Sequence, residues 1–399
     1  MVVSLLGVGV LLVCLLDVFF TVLDANGVSV ISSRLYRWMW WIWRHGGRLL
    51  PPKTRRAWLS VGAPLMIPAI IGVWISLVVV GFALIYFGGM SPENFLFGGG
   101  SQPSLAAAFR LSWVTLSTIG FVEISPSSMT YSLTVALEAI VGGILLTFTI
   151  TYFLSVHRVV LSFNELVTRM HHHAASISDP LSYLADHFVD GQPRALDSWL
   201  DSLHHAVVGL HEGLRRYPIV YYFQPRRRFR ALPYALEILT GLVAGLRWGL
   251  PAGHAITAHP GVRTLTAALE MLVDDLEDRH VPLHDRTIVH PVSFRAFVET
   301  VQGRRWDADP WVTRFTDLAR SVAAVTGLPA EVDPSDAYLR YRQWLPFTAR
   351  TGDFIAATKR DLGYADDLRP GRSSAVWEVW SRGPADRPQP LTVPREWSA

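Results

Sequence analysis

Hydrophobic positions fall unevenly along the chain. Three long apolar runs, Val2–Leu23, Pro64–Tyr86 and Tyr131–Tyr152, carry almost no charge. Each has the roughly 20 residues that an α-helix needs to cross the hydrocarbon core of a bilayer. Beyond Leu161 the pattern changes. Leu196, Trp199, Leu200, Leu203, Val207, Leu210 and Leu214 recur at helical spacing, as do Val262, Leu265, Leu269, Leu272 and Leu276, which predicts amphipathic helices in a soluble region. Leu232–Leu250 is also apolar, but Glu237 and Arg247 lie in it and Pro233 and Pro251 bound it. It reads as a buried helix. Pro180, Pro218, Pro282, Pro310 and Pro334 mark joints between further short helices.

The stretch from Ser104 to Ser127, between the second and third apolar runs, breaks the pattern. Gly120 and Pro126 interrupt it, so it does not span. Its first half reads as a short amphipathic helix and its second half as extended backbone. Non-helical backbone at membrane depth is tolerated only where protein buries it or where it lines a water-filled cavity. Span, re-entrant helix, extended segment and span make a pore-like order. Thr-rich apolar segments with a glycine also occur where helices merely pack closely.

Within that stretch Thr115-Leu116-Ser117-Thr118-Ile119-Gly120-Phe121-Val122-Glu123 resembles the selectivity filter of the potassium-channel superfamily, usually Thr-x-x-Thr-Val-Gly-Tyr-Gly-Asp. The resemblance covers Pro64 to about Leu161, roughly a quarter of the chain. It implies a filter of stacked carbonyl rings, with Thr118 innermost and Ile119, Gly120, Phe121 and Val122 above it. Thr115 and Ser117 would support the filter, and Glu123 would stand at its outer mouth. One chain supplies one loop, so a homotetramer around a central axis is implied, with K⁺ or Na⁺ as the permeating ion. Val122 departs from the family, which has a second glycine there. A β-branched residue resists the positive φ that such a glycine tends to use. K⁺ selectivity weaker than the superfamily norm, or no conduction, is therefore expected.

Charge orients the spans. Residues 24–59 carry Arg34, Arg37, Arg44, Arg48, Lys53, Arg55 and Arg56, interleaved with Trp38, Trp40, Trp41 and Trp43. That composition suits a segment lying on a membrane surface, a helix packed on the pore's cytosolic side, or both. Its seven basic residues place it inside, whereas Gly88–Gln102 has one acid and no base and belongs outside. The N-terminus is then external and the soluble region cytoplasmic, in a cell (plasma or inner) membrane. Val2–Leu23 lacks the charged start and cleavage pattern of a signal peptide. Asp17 within it is either functional, or simply sits near the headgroups or accepts a hydrogen bond.

The expected organisation is an N-terminal span (1–23), a basic Trp-rich linker (24–59), a pore domain (60–161), a helical cytosolic domain (162–368) and a loose tail (369–399) to which Trp377 and Trp380 could dock. The fold class is an all-α membrane protein with three transmembrane helices and a re-entrant pore loop. Half of the residues are hydrophobic, 17% are charged, and the formal net charge is +3, too small to point to nucleic acid. Cys14 is the single cysteine, so no intrachain disulfide forms.

Several residues are further candidates. Glu138 lies in the third span, one turn before Gly142-Gly143. There it is placed to accept hydrogen bonds from filter backbone, Thr115 or Ser117, or to pair with Arg110. Gly142 and Gly143 loosen the helix; the family resemblance makes them a gating hinge, and close helix packing is the alternative. Arg226, Arg227, Arg228 and Arg230 form a basic cluster: a solvated face, a site for anionic lipid headgroups, or a site for a phosphorylated cytosolic ligand. His171, His172 and His173 point three ways on a helix and do not share a metal. His204 and His211, near His205 and Glu212, are two turns apart and make a helix surface rather than a metal site. No cofactor is expected.

No catalytic motif appears: no Gly-x-Ser-x-Gly, no His-Glu-x-x-His and no phosphate loop. The soluble region lacks regular strand–helix alternation, which argues against the nucleotide-binding domain of many prokaryotic potassium channels. No span carries regularly spaced arginines, so voltage sensing by a charged helix is not expected. A cation channel is the first reading. A non-conducting membrane sensor or scaffold that keeps the pore fold is the alternative, favoured by Val122.

Overall fold

A computed structural model describes residues 1–23, 31–120, 123–173, 184, 187–189, 192–225, 230–281, 288–303, 309–327 and 333–364. The chain divides into two compact units, Met1–Val160 with Leu214–Phe223, and Leu161–Gly213 with Gln224–Ala399.

The first unit is built from α1 (Val2–Leu23), α2 (Ser32–Arg48), α3 (Pro52–Phe87), α4 (Leu105–Leu116) and the first part of α5 (Met129–His173). Three helices, over Val2–Leu23, Thr54–Phe87 and Met129–Met170, are long and apolar enough to cross a membrane. The third apolar run, Tyr131–Tyr152, lies in a helix that continues without a break through Val167 to His173, as its pattern predicts, since no proline interrupts it.

α1 and α3 meet backbone to backbone. A Cβ added at Gly7 would lie 2.5 Å from the Gly81 carbonyl, and one added at Gly81 would lie 2.6 Å from Leu11. In lipid, helices gain little from hiding apolar surface from each other, so small residues that permit close approach drive packing. Asp17 of α1 is 2% exposed. Its carboxylate accepts from the Ile31 amide (2.8 Å), the Ser32 hydroxyl (2.6 Å) and the Trp74 indole (3.1 Å). The acid is thus a hydrogen-bonded knot joining α1, the start of α2 and α3, one of the two roles open to it from the sequence.

α2 folds back onto α3. The Trp43 and Trp58 rings stack at 4.2 Å, 7° apart, and each indole N–H donates to the other's carbonyl, at 2.8 and 3.1 Å. Gly62 makes room, because a Cβ there would come within 2.6 Å of the Trp43 ring. Tyr36 and Trp40 are buried while Trp38 and Trp41 stay exposed. Within the unit α2 is thus a helix packed on α3.

A segment far along the sequence completes the first unit. Leu214–Phe223 ends in a short 3-10 helix, Pro218–Tyr222, and buries Tyr217, Ile219, Val220, Tyr221 and Tyr222. Tyr217 meets Tyr152 edge-on at 6.0 Å, Tyr222 packs on Trp40 at 5.5 Å, and the Tyr36 and Tyr152 hydroxyls lie 2.6 Å apart. This segment was expected in the soluble region because its hydrophobic spacing merely continues that of the helix before it.

The second unit is helical apart from a two-stranded ladder of β3 (Phe188–Val189) and β4 (Gln192–Pro193) among its described residues. Its helices are α6 (Leu196–Arg216, the last three residues passing into the first unit), α7 (Leu232–Ala244), α8 (Pro260–Arg279), α9 (Phe294–Val301), α10 (Pro310–Thr326) and α11 (Pro334–Asp361). Proline opens α8, α10 and α11, where the missing N–H costs nothing. Asp309 and Asp333 cap α10 and α11, accepting from backbone amides of the first turn. The expected buried helix over Leu232–Leu250 is present as α7, extended by one π-helical turn, Gly245–Gly249. Gly249 is required there: a Cβ would lie 2.6 Å from Val322. Leu236, Leu239, Leu265, Phe315, Trp344 and Phe354 form the core. Within it Lys359 donates to Glu237 at 2.8 Å, both side chains being under 5% exposed, and the ammonium sits 4.6 Å over the Tyr234 ring.

Candidate functional site

The stretch singled out in the sequence follows a short helix. The Ser104 side chain accepts from the Ala107 amide at 3.2 Å and starts α4. Twelve residues make a helix about 18 Å long, too short for a bilayer core of about 30 Å. Ala107, Ala108, Leu111 and Ser112 bury one face of α4, and α4 packs against α3.

After Leu116 the chain leaves helical geometry. Ser117, Thr118, Ile119 and Gly120 are exposed, with Ile119 at 58%. Thr118 has φ 56° and Gly120 φ 77°, whereas Ile119 between them is not at positive φ. Gly120 faces open space. Positive φ is cheap for glycine but not for a β-branched threonine, for which it is an outlier. The Thr118 amide donates to the Thr115 carbonyl at 3.1 Å, and the Ser117 hydroxyl bonds the Val114 carbonyl at 3.0 Å, so both hold the end of α4 locally. Phe121 and Val122 lie outside the described residues, and so does the expectation built on Val122.

Beyond them the chain is pinned. β2 (Ile124–Pro126) pairs antiparallel with β1 (Phe95–Phe97), in the register Phe95–Pro126, Leu96–Ser125 and Phe97–Ile124. The Gly98 amide donates to the Glu123 carbonyl at 2.6 Å. Arg110 of α4 pairs with Glu123 at 2.8 Å and donates to the Ser101 hydroxyl at 2.9 Å. Both side chains of that ion pair are more than half exposed, so it fixes geometry more than stability.

Glu138 takes different partners from those expected. It is fully buried, and it accepts from the Tyr86 hydroxyl at 2.6 Å and the Ser112 hydroxyl at 2.5 Å. Ser112 Oγ also lies 3.1 Å from the Val79 carbonyl. The carboxylate therefore ties α5 to α3 and to the buried side of α4, not to Thr115, Ser117 or backbone beyond Leu116. Arg110 is engaged by Glu123 instead. Tyr86 and Ser112 were missed because each looks ordinary: Tyr86 ends an apolar run, and Ser112 is one serine among many.

Gly142 and Gly143 are distinguished by their surroundings. A Cβ at Gly142 would come within 3.0 Å of the Leu116 carbonyl, at the end of α4, whereas Gly143 faces open space. Close packing is sufficient reason for glycine at 142. In the basic cluster, Arg226, Arg227 and Arg228 lie outside the described residues, and Arg230 follows them just before α7. The side chains of His171, His172 and His173, and Trp377 and Trp380 of the tail, are likewise outside the description. His211 approaches Asp275 at 3.5 Å, apart from His204, which faces His205. Among the described residues no group of three His, Cys, Asp or Glu is arranged to hold a metal ion.

No family model matches the chain, and no solved structure matches it. The chain is similar to the uncharacterized membrane protein YdjJ of Bacillus subtilis (strain 168), 24% identical over 231 residues that cover 57% of this chain and 64% of that relative. The matched part is thus less than two thirds of the relative's length. Its three long apolar helices and this likeness make the chain a mainly α-helical, multi-pass membrane protein.

Proposed function

We propose that the first unit is one subunit of a tetrameric cation pore of the potassium-channel superfamily, with Thr118–Val122 as its filter, and that the second unit is its cytoplasmic domain. The observation that carries this reading is the backbone after α4, where a β-branched residue at positive φ precedes a glycine at positive φ with a residue of ordinary φ between them. Strain of this kind persists where surrounding structure enforces it and gathers at functional sites.

Electrostatics favour a cation. The C-terminal end of α4, the negative end of its dipole, precedes the exposed segment. From Leu111 to Ser128 the chain has no lysine or arginine, and its acid, Glu123, is balanced by Arg110. In this reading Glu138, through Ser112, braces the pore helix from behind. Gly143, where an added Cβ would meet open space, is the better hinge of the glycine pair. Exposed apolar residues of α5, among them Leu133, Leu137, Ile140 and Ile144, supply the surface that other copies and lipid cover.

Flux tests the reading directly. Purified protein in liposomes should pass K⁺, with Na⁺ discriminated against weakly, and Val122→Gly should raise the K⁺/Na⁺ permeability ratio. Absence of monovalent cation flux from protein shown to be tetrameric would favour the non-conducting sensor. A stable monomer or dimer in mild detergent would refute the pore altogether.

A further inference from the structure

We infer that the second unit holds a binding site for a small planar anion, an aromatic ring bearing a carboxylate or a phosphate, in a cleft between the π-helical turn and helices α8 and α11. The cleft encloses about 460 Å³ and is lined by Arg247, Trp248, Glu270, Gln343, Phe347 and Arg350, among others. That volume is in the range of small-molecule sites.

Three observations define the ligand. The first is the wall. Trp248, 3% exposed, backs the half-buried Phe347 ring at a centroid distance of 4.9 Å, and Phe347 offers apolar surface to a flat molecule. The second is uncompensated charge. Arg247 sits 4.9 Å from the Trp248 ring, and no carboxylate pairs with it among the described residues. Arg350, by contrast, is held by Asp274 and Glu277, so it shapes the site while Arg247 is free to meet an anion. The third is a surplus of donors. Trp248 Nε1 and Arg350 Nε are buried without an acceptor, and both side chains line the cleft. Buried donors are normally paired, and an acceptor-rich ligand suits a wall that has too many of them.

The backbone is unusual at the same place. Arg247 and Trp248 sit on the π-helical turn, whose wider winding interrupts the regular ladder of α7. Such turns occur frequently at functional sites. Here the turn is held from behind by the Arg340 guanidinium, which donates to the Trp248 carbonyl at 2.6 Å, and by the close contact of Gly249 with Val322. Glu270, at the exposed edge of the cleft, disfavours a second negative charge nearby, which points to a compact anion seated at Arg247. This inference requires no conduction by the first unit.

Calorimetric titration of the full chain in detergent tests it with four probes: 5′-AMP, benzoate, adenosine and inorganic phosphate. At least one of the two planar anions should bind, and adenosine and phosphate should bind about tenfold more weakly or not at all. AMP alone would indicate a nucleotide and benzoate alone an aromatic acid. Arg247→Gln should weaken the bound anion by about tenfold or more, Arg247→Lys by less, because lysine keeps the charge but not the planar fork. Glu270→Gln, at an exposed position, should tighten it severalfold and leaves the fold intact. Failure of both planar anions to bind, or binding that neither Arg247→Gln nor Glu270→Gln alters, would overturn the assignment.

Discussion

Removal of the Glu138 carboxylate has a calculable cost. Glu138, Ser112 and Tyr86 are each fully buried, and the carboxylate accepts one hydrogen bond from each hydroxyl. Glu138→Ala leaves both hydroxyls without that acceptor. A buried polar group deprived of its partner costs about 1–3 kcal/mol; Tyr86 bears that cost, whereas the Ser112 hydroxyl turns to the Val79 carbonyl 3.1 Å away, so the loss should be about 1–4 kcal/mol, a sizeable part of a typical stability of about 5–15 kcal/mol. Glu138→Gln keeps a carbonyl for one hydroxyl and presents N–H donors that the other hydroxyl accepts, and should cost about 1 kcal/mol. Tyr86→Phe removes one donor and should cost about 1.5–3 kcal/mol if the carboxyl is ionised. Unfolding in mixed micelles with increasing SDS, followed by tryptophan fluorescence, measures all three. Because Tyr86 and Glu138 share one bond, the double variant Tyr86→Phe/Glu138→Ala should cost less than the sum of the singles by about 1–3 kcal/mol. Strict additivity would refute the described contact. A Glu138→Gln variant as unstable as Glu138→Ala would show that charge rather than hydrogen bonding holds the helices together.

Three other outcomes are expected. Lys359→Met should destabilise the second unit by about 3–5 kcal/mol, since it removes the ammonium that pairs with Glu237 in the core, and adding Glu237→Leu should recover most of that loss in thermal unfolding. Gly81→Leu should destabilise the α1–α3 contact by about 1–3 kcal/mol or more through overpacking against Leu11, whereas Gly9→Leu, which faces open space, should be silent in the same SDS titration. His254, half-buried and accepting from the Ile256 amide at 3.3 Å, has its pKa lowered from 6.5 by desolvation. The unfolded chain then binds more protons than the folded one between that lowered value and 6.5. Stability contributed by His254 is full above 6.5 and is lost as pH falls through the window. Unfolding midpoints of His254→Asn against the parent chain should converge above that window and separate below it, with the parent the less stable.

Much of the architecture is legible in the sequence because it depends on local periodicity. The three apolar runs specify helices whatever they later touch, and the heptad-like leucines of α6 and α8 specify one buried face each. The proline-bounded run from Leu232 to Leu250 is likewise readable, since length and flanks decide it. The order Thr118-Ile119-Gly120 within a broken stretch between apolar runs marks the candidate site only through its resemblance to a known filter sequence. Tertiary structure decided what depends on partners distant in sequence. Glu138 has Tyr86, 52 positions away, and Ser112, 26 positions away, and no spacing rule pairs them. Leu214–Phe223 joins the first unit because Tyr152, Tyr36 and Trp40 offer an aromatic surface, not because its own pattern differs from that of α6. Gly142 gains its meaning only from the carbonyl of Leu116 beside it. The π-turn at Gly245–Gly249 is set by packing against Val322 and Arg340, which no helical pattern announces. Hydrophobic period fixes the elements because water acts on each residue singly, whereas hydrogen bonds and close approaches require two, and the second residue is known only once the chain has folded.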